Sequence, residues 1–248
     1  MTTGNDWRVP PSDLALMEDV VHVWSVPLAG PDYDMQGLQS LLEPDELARA
    51  QRFYFARDRH HWTVARAVLR LLLARYLELD PRRLRFSSNA YGKPALAFPT
   101  LTLPLYFNIS HSHDLALYAF AYARELGVDV EYMRSDIEYM SLARHSFSAY
   151  ENQVLHTLSS ADLPQGFFNC WTRKEAYIKA RGMGLSLPLD QFDVSLAPGE
   201  PAALLASRED PLAPQRWSFQ SLDPTPGYAA ALAVAGHDWQ LSCWRYEP

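Results

Sequence analysis

The chain has 248 residues, 48% of them hydrophobic and 12% aromatic, with a formal net charge of −7; such a composition builds a globular core and excludes a disordered chain. The two cysteines, Cys170 and Cys243, are too few for a disulfide framework or a zinc site of their own, which points to a reducing compartment. The first residues lack a basic flank leading into an apolar core, and no apolar run reaches the roughly 18 residues of a membrane span, so a cytoplasmic protein is expected.

In chain order, Met1 to about Asp19 reads as a polar, mobile lead-in. Val20–Val26 alternates like a strand and is stopped by Pro27 and Gly30. Leu38–Ala50 reads as a helix broken near its middle by Pro44. Asp58–Glu78 is a strong helix with a wide apolar stripe (Trp62, Val64, Ala65, Val68, Leu69, Leu72, Leu73, Tyr76), ended by Asp80-Pro81. Leu84–Phe86 is extended, and Asn89–Pro94 is a turn marked by Gly92 and Pro94. Tyr106–Ser110, Leu115–Tyr122 and Leu126–Glu131 read as strands, and a helix-rich region then runs to Gly182. The proline-rich stretch 198–226 predicts loops and edge strands, and Tyr228–Ala235 and Trp239–Tyr246 predict two closing strands. Each half thus opens with a strand, carries a long helix and ends in apolar strands, a coarse hint of a duplicated α+β unit.

Charge is unevenly spread. Arg49 to Lys93 holds eleven basic residues against three acids, whereas Leu126 to the end holds nine against fifteen. A basic segment facing an acidic half suits a polyphosphate, an acidic protein or nucleic acid. Nucleic acid is the weakest of these, because no helix-turn-helix, RNP or zinc-finger pattern occurs.

The stretch Phe167–Lys179 organises the rest. Phe167, Phe168, Trp171 and Ile178 form one apolar helix face, and Glu175 and Lys179 lie four apart on one side. The plain account is a surface ion pair; the chemical one is a metal-ligating carboxylate beside a phosphate-binding ammonium. Asp129 and Glu131 project from one face of a strand while Val128 and Val130 point into the core. Two like charges side by side repel unless a cation joins them. With Glu175 they would form the oxygen-rich set that Mg²⁺ prefers, in outline a phosphoryl-transfer site. Ser110 and His111 end a strand where both could reach an anion, but neighbours on an extended chain point apart and cannot share a proton as a nucleophile pair. Gly92-Lys93-Pro94 offers close backbone approach and a point charge. Another Mg²⁺-dependent phosphoryl-transfer enzyme or nuclease, or a catalytically silent binding protein, stands open on these residues alone.

Their order narrows the choice. Tyr91-Gly-Lys-Pro94, Phe107-Asn-Ile-Ser-His-Ser112, Gly127-Val-Asp-Val-Glu131 and Trp171-Thr-Arg-Lys-Glu-Ala-Tyr-Ile-Lys179, followed by Gly184–Asp190, resemble the motifs of the Sfp-type 4′-phosphopantetheinyl transferases, over about Leu38 to Ala235. The resemblance implies an α+β fold of two similar halves related by a pseudo-twofold, here 1–125 and 126–248, with coenzyme A and Mg²⁺ in the cleft between them. It implies Asp129, Glu131 and Glu175 as Mg²⁺ ligands, and Lys179 on the coenzyme phosphates. Lys93, Ser110 and His111 would hold the coenzyme, with His111 on the 3′-phosphate region and the Gly92–Pro94 backbone near the adenine. Arg49 matches a lysine of the family, Glu46 stands where a basic residue is common, and His61 stands where an arginine often sits, with Arg66 as the substitute. The implied activity is that of a holo-[acyl-carrier-protein] synthase: transfer of phosphopantetheine to a serine of an apo acyl or peptidyl carrier protein, with Glu175, directly or through a metal-bound water, as base. A covalently duplicated unit is expected to work as a monomer, and neither nucleic acid nor a membrane is expected as a partner.

Overall fold

Val20–Pro27 forms the expected strand, and its buried side chains set the level at which the first half packs. The computed structural model describes residues 5–30, 32–97 and 103–248. Val20–Pro27 pairs antiparallel with Leu115–Tyr122, which pairs antiparallel with Leu105–Ser112. On its other edge lie Gln240–Arg245 and then Trp7–Arg8, both in parallel register, completing a five-stranded sheet. A second, antiparallel sheet orders Trp217–Leu222, Tyr228–Ala235 and Leu126–Tyr132. The protein is therefore a mixed α+β fold.

Each sheet carries one long helix. Ala56–Leu77 lays Val64, Val68, Leu69 and Leu72 against Trp24, Val26, Tyr118 and Phe120 of the first sheet. Leu163–Arg181 lays Ala176, Tyr177 and Ala180 against Ala229, Ala231 and Ala233 of the second. Between the sheets a third core joins Val21, Val23, Leu117 and Ala119 to Val128, Val130, Leu232 and Val234. The small residues of Tyr228–Ala235 let both the helix and the opposing sheet approach closely.

Pro44 does separate two helices, Met35–Ser40 and Pro44–Gln51, and occupies the first turn of the second, where its missing N–H costs nothing. Gly182 ends the long second helix at φ 64°, a left-handed cap that favours glycine. Among the described residues no helix is long and apolar enough to cross a membrane, and both cysteines are free and buried.

The lead-in differs from expectation. Trp7 is buried, its Nε1 donates to the Asp223 carbonyl at 2.8 Å, and Trp7–Arg8 pairs with Cys243–Trp244. Its partners lie more than two hundred residues away in sequence, so local polarity read it as loose. The strand Gln240–Arg245 crosses back in the same way, ending the chain inside the first sheet.

Candidate active site

The site lies where Leu105–Ser112 meets Leu126–Tyr132. These two strands join through side chains placed two apart on the first strand. Asn108 Oδ1 accepts from Val128 N (2.9 Å), Ser110 Oγ donates to Asp129 Oδ1 (2.8 Å), and Ser112 Oγ donates to Glu131 Oε2 (2.7 Å) while accepting from Tyr132 N (3.1 Å). Alternation along both strands puts Asn108, Ser110 and Ser112 on one face, and Gly127, Asp129 and Glu131 on the other strand's matching face.

The helix Leu163–Arg181 crosses that second face. A Cβ on Gly127 would stand 2.1 Å from the Ala176 carbonyl oxygen and 2.4 Å from Ala180 N. Glycine there lets the helix come close enough for Lys179 to reach the strand. Lys179 Nζ donates to Asp129 Oδ1 at 2.6 Å and to Ser110 Oγ at 2.9 Å. The ion pair thus runs from helix to strand, and no Glu175–Lys179 pair forms: the i,i+4 surface pair does not exist in this structure.

Asp129 is 3% exposed, and its Oδ2 is buried without a partner among the described residues. Burial raises the Asp129 carboxyl above its ordinary range, with Lys179 and Ser110 opposing the shift. Burial and then the Asp129 charge do the same to Glu131, against the Ser112 hydrogen bond. Glu175 makes no hydrogen bond among the described residues. Burial, and then the charge of Asp129, push it up to about 7. The three carboxylates feel one another, yet among the described residues no three His, Cys, Asp or Glu side chains converge as a ready metal-ligand set.

A cavity of about 610 Å³ is lined by Arg49, Arg66, Gly92, Pro94 and His111, with Asp45, Glu46, Trp62, Phe86 and Ser88 among the other walls. His111 is held below the ordinary imidazole range by burial at the cavity wall and by the nearby Lys179 charge. Five of the sequence-predicted residues therefore share one hollow, whose charged walls are two arginines and two acids.

Lys93 is placed elsewhere. Its ammonium donates to the carbonyls of Leu126 (3.1 Å) and Ala180 (3.0 Å), and burial lowers it to about 8. It fastens the turn to the start of the acidic strand and the end of the helix, and lines a different cavity of about 380 Å³. Ser110 is likewise buried and committed to Asp129 and Lys179. His61 faces Asp114 at 3.5 Å and lines a different cavity from Arg66.

Sequence reasoning missed two charged residues of the same helix. Arg173 is buried against Ser195 and Ser221, donating to the Ser195 carbonyl at 2.6 Å. Lys174 is fully buried 2.8 Å from Glu151, with further bonds of 2.6 Å to the Leu189 and Phe192 carbonyls. The one available signal was their position: 173 and 174 fall on the opposite side of the helix from 175 and 179. Ser112 was missed as well, although its spacing of two from Ser110 marks the same strand face.

A family model described as the 4′-phosphopantetheinyl transferase superfamily matches residues 125–233, and one described as 4′-phosphopantetheinyl transferase, N-terminal, matches 31–122. The chain is 40% identical over 240 residues to the 4′-phosphopantetheinyl transferase HetI of Nostoc sp. (strain PCC 7120), covering 97% of this chain and 98% of that one. It is 31% identical over 201 residues to the 4′-phosphopantetheinyl transferase Sfp of Bacillus subtilis, covering 81% and 85%. A putative 4′-phosphopantetheinyl transferase of Synechocystis sp. (strain PCC 6803) is 35% identical over 169 residues, 68% of each chain. The chain belongs to the 4′-phosphopantetheinyl transferase superfamily.

Proposed function

We propose that this protein transfers the 4′-phosphopantetheine arm of coenzyme A to a serine of an apo acyl or peptidyl carrier protein, as a holo-[acyl-carrier-protein] synthase. The observation that supports the reading is the wall residue His111: it lines a cavity with Arg49 and Arg66, and it feels the charges of Lys179 and Asp129, which are themselves paired. A nucleotide bearing phosphates needs the cavity, and displacement at a diphosphate needs the charged groups.

The chemistry of the donor set suits a divalent cation, although among the described residues the three side chains do not stand converged on one point. Among the described residues Asp129 Oδ2 is a buried carboxylate oxygen without a partner, and Glu175 is an acid without a hydrogen-bond partner, raised by burial and then by the Asp129 charge. Asp129, Glu131 and Glu175 would hold Mg²⁺, which would neutralise diphosphate charge when bound. The chain's own groups do the rest. Arg49, Arg66 and His111, with the Gly92–Pro94 backbone, seat the nucleotide. Lys93 and Ser110 act on the coenzyme at one remove: Lys93 fixes the turn that carries Gly92, and Ser110 aligns Asp129 and Lys179.

The carrier serine oxygen bonds to the phosphorus bearing pantetheine, and the bond from that phosphorus to the bridging oxygen breaks. Glu175 takes the serine proton, and Lys179 stabilises the departing 3′,5′-ADP. The nucleophile comes from the partner, which accounts for the lack of a nucleophile pair here. Residues 1–125 and 126–248 act as two similar halves around the cleft, with the last strand returned to the first sheet. One long helix on each sheet supports that reading, as does the meeting of the two family matches near residue 125. The protein works in the cytoplasm as a monomer, without nucleic acid or membrane. Incubation with coenzyme A, Mg²⁺ and a panel of apo carrier proteins, read by intact mass, tests the activity: one added phosphopantetheine supports it, and unmodified carriers throughout refute it.

A further inference from the structure

Two acids, the exposed Asp45 and the buried Glu46, line the cavity beside Arg49 and Arg66, and the binding of a phosphorylated nucleotide would not by itself explain the buried one. Glu46 sits in the first turn of the helix Pro44–Gln51, is 6% exposed, and lines the cavity between Arg49 and Arg66. A carboxylate beside a phosphate is repulsive unless its charge is spent, and the charge of Glu46 is spent twice. Its Oε1 accepts from Arg66 Nε, and its Oε2 accepts from Arg70 Nε at 2.8 Å and from Glu43 N at 2.8 Å. The carboxylate is therefore locked by three donors from three places in the chain.

Arg70 is 1% exposed in its side chain, and its remaining donors are committed to the Pro81 and Leu84 carbonyls. It is a fixed internal charge and not a ligand group. Arg66 is different. Its guanidinium lies 3.9 Å from the centre of the Phe86 ring, its side chain keeps 20% of its surface, and it lines the cavity. Only its Nε is hydrogen-bonded among the described residues; both Nη groups have no protein partner. The three charges sum to +1. The arrangement thus holds Arg66 by its Nε edge and its flat face, leaving the two Nη groups as an unused fork. That fork is the geometry that takes two oxygens of one phosphate. Arg49, by contrast, is exposed and held only 6.0 Å over Trp62, so it adds charge without a fixed direction.

We infer that Glu46 is a positioning residue that, with the Phe86 ring, aims the Arg66 fork at the terminal 3′-phosphate of coenzyme A and so sets the preference for coenzyme A over 3′-dephospho-coenzyme A. The inference rests on the proposed transferase reading, in which this cavity takes the nucleotide. It predicts that an acid in a phosphate site raises phosphate discrimination, the reverse of what its charge alone implies.

The test is the ratio of kcat/KM for coenzyme A to that for 3′-dephospho-coenzyme A. The wild-type protein is expected to prefer coenzyme A, with the ratio falling about tenfold or more in Glu46→Gln and Arg66→Lys, the loss appearing in KM and not in kcat. A merely structural role for Glu46 would lower both donors alike and leave the ratio unmoved. Because Glu46→Gln leaves Arg70 buried without its carboxylate, Phe86→Leu is measured beside it; it removes the flat support without touching any charge, and the same fall is expected. A folded Glu46→Gln or Phe86→Leu variant with the wild-type ratio overturns the inference while leaving the transferase reading intact, as does a wild-type ratio near one. Absence of transfer from either donor by the wild-type protein overturns both.

Discussion

Lys179 Nζ stands 2.6 Å from Asp129 Oδ1, joining the last turn of the helix Leu163–Arg181 to the strand Leu126–Tyr132, and not to Glu175 one turn earlier on its own helix. The distinction matters for energetics. A solvent-exposed i,i+4 pair stabilises by about 0.3–0.5 kcal/mol, whereas removing one partner of a buried pair costs about 3–5 kcal/mol. Asp129 is buried and Lys179 is 28% exposed in its side chain, so the cost of Lys179→Met falls below that range, at about 2 kcal/mol. Urea unfolding in EDTA checks it, and added Mg²⁺ should recover part of the loss by binding the folded state. No change in stability would mean that the pair is not formed in solution.

Gly127 sits where helix and strand touch, and the space argument is sharp. A methyl group there meets main-chain atoms at 2.1 and 2.4 Å, which cannot rotate away as a side chain can. Gly127→Ala should lose about 3 kcal/mol or more, at the upper end of overpacking costs, together with activity, because Lys179 moves with the helix. A Gly127→Ala protein of wild-type stability would show that the helix lies farther from the strand.

Lys174 is adjacent to Glu175 in sequence yet turned into the core against Glu151. Lys174→Met leaves Glu151 buried with its two main-chain donors, Ser148 N and Val194 N, and no cation. The expected loss is about 3–5 kcal/mol, read as a lowered urea midpoint. Retained stability with lost activity would instead place Lys174 in the chemistry.

How much of this was legible in the residues varies with the range of the interaction. The strand of Asp129 and Glu131 was, because alternation in Gly127–Glu131 assigns faces without any partner. The helix of Glu175 and Lys179 was too, through its apolar spacing and the glycine that ends it. Motif order carried the family, and of the residues it implied for the coenzyme, Arg49, Arg66, Gly92, Pro94 and His111 line one cavity. What could not be read were choices among partners. Whether Lys179 pairs with Glu175 or Asp129, and whether Lys93 faces phosphate or the Leu126 and Ala180 carbonyls, depends on how helix and strand cross. The anchoring of Trp7 by a strand at the other end of the chain was hidden for the same reason.

His22 supplies a pH dependence of stability. It is buried, its Nδ1 lies 2.9 Å from the Tyr76 hydroxyl, and burial, then Arg75, lower it to about 4. The folded value lies below the unfolded value of about 6.5, so the neutral ring stabilises the fold above pH 6.5 and that contribution is lost as pH falls toward 4. The full span is on the order of 3 kcal/mol. The raised carboxyls Asp129, Glu131 and Glu175 act in the opposite sense, so the comparison is between wild type and His22→Gln. Urea unfolding at pH 7.5 and 4.5 should show a smaller acid loss in the variant. Identical pH profiles would contradict the assignment.

The central claim is that Glu175, Asp129 and Glu131 serve one displacement at the coenzyme A diphosphate. Glu175 is the most discriminating of the three, because among the described residues its side chain makes no hydrogen bond whose loss would disturb the fold. The direct measurement is the rate at which an apo carrier protein gains phosphopantetheine while 3′,5′-ADP appears in equal amount, for wild type and Glu175→Gln at saturating coenzyme A and Mg²⁺. Stoichiometric transfer by the wild type, and a rate lower by about two orders of magnitude or more in a variant of unchanged stability, is the predicted result. Near wild-type transfer by Glu175→Gln would contradict it.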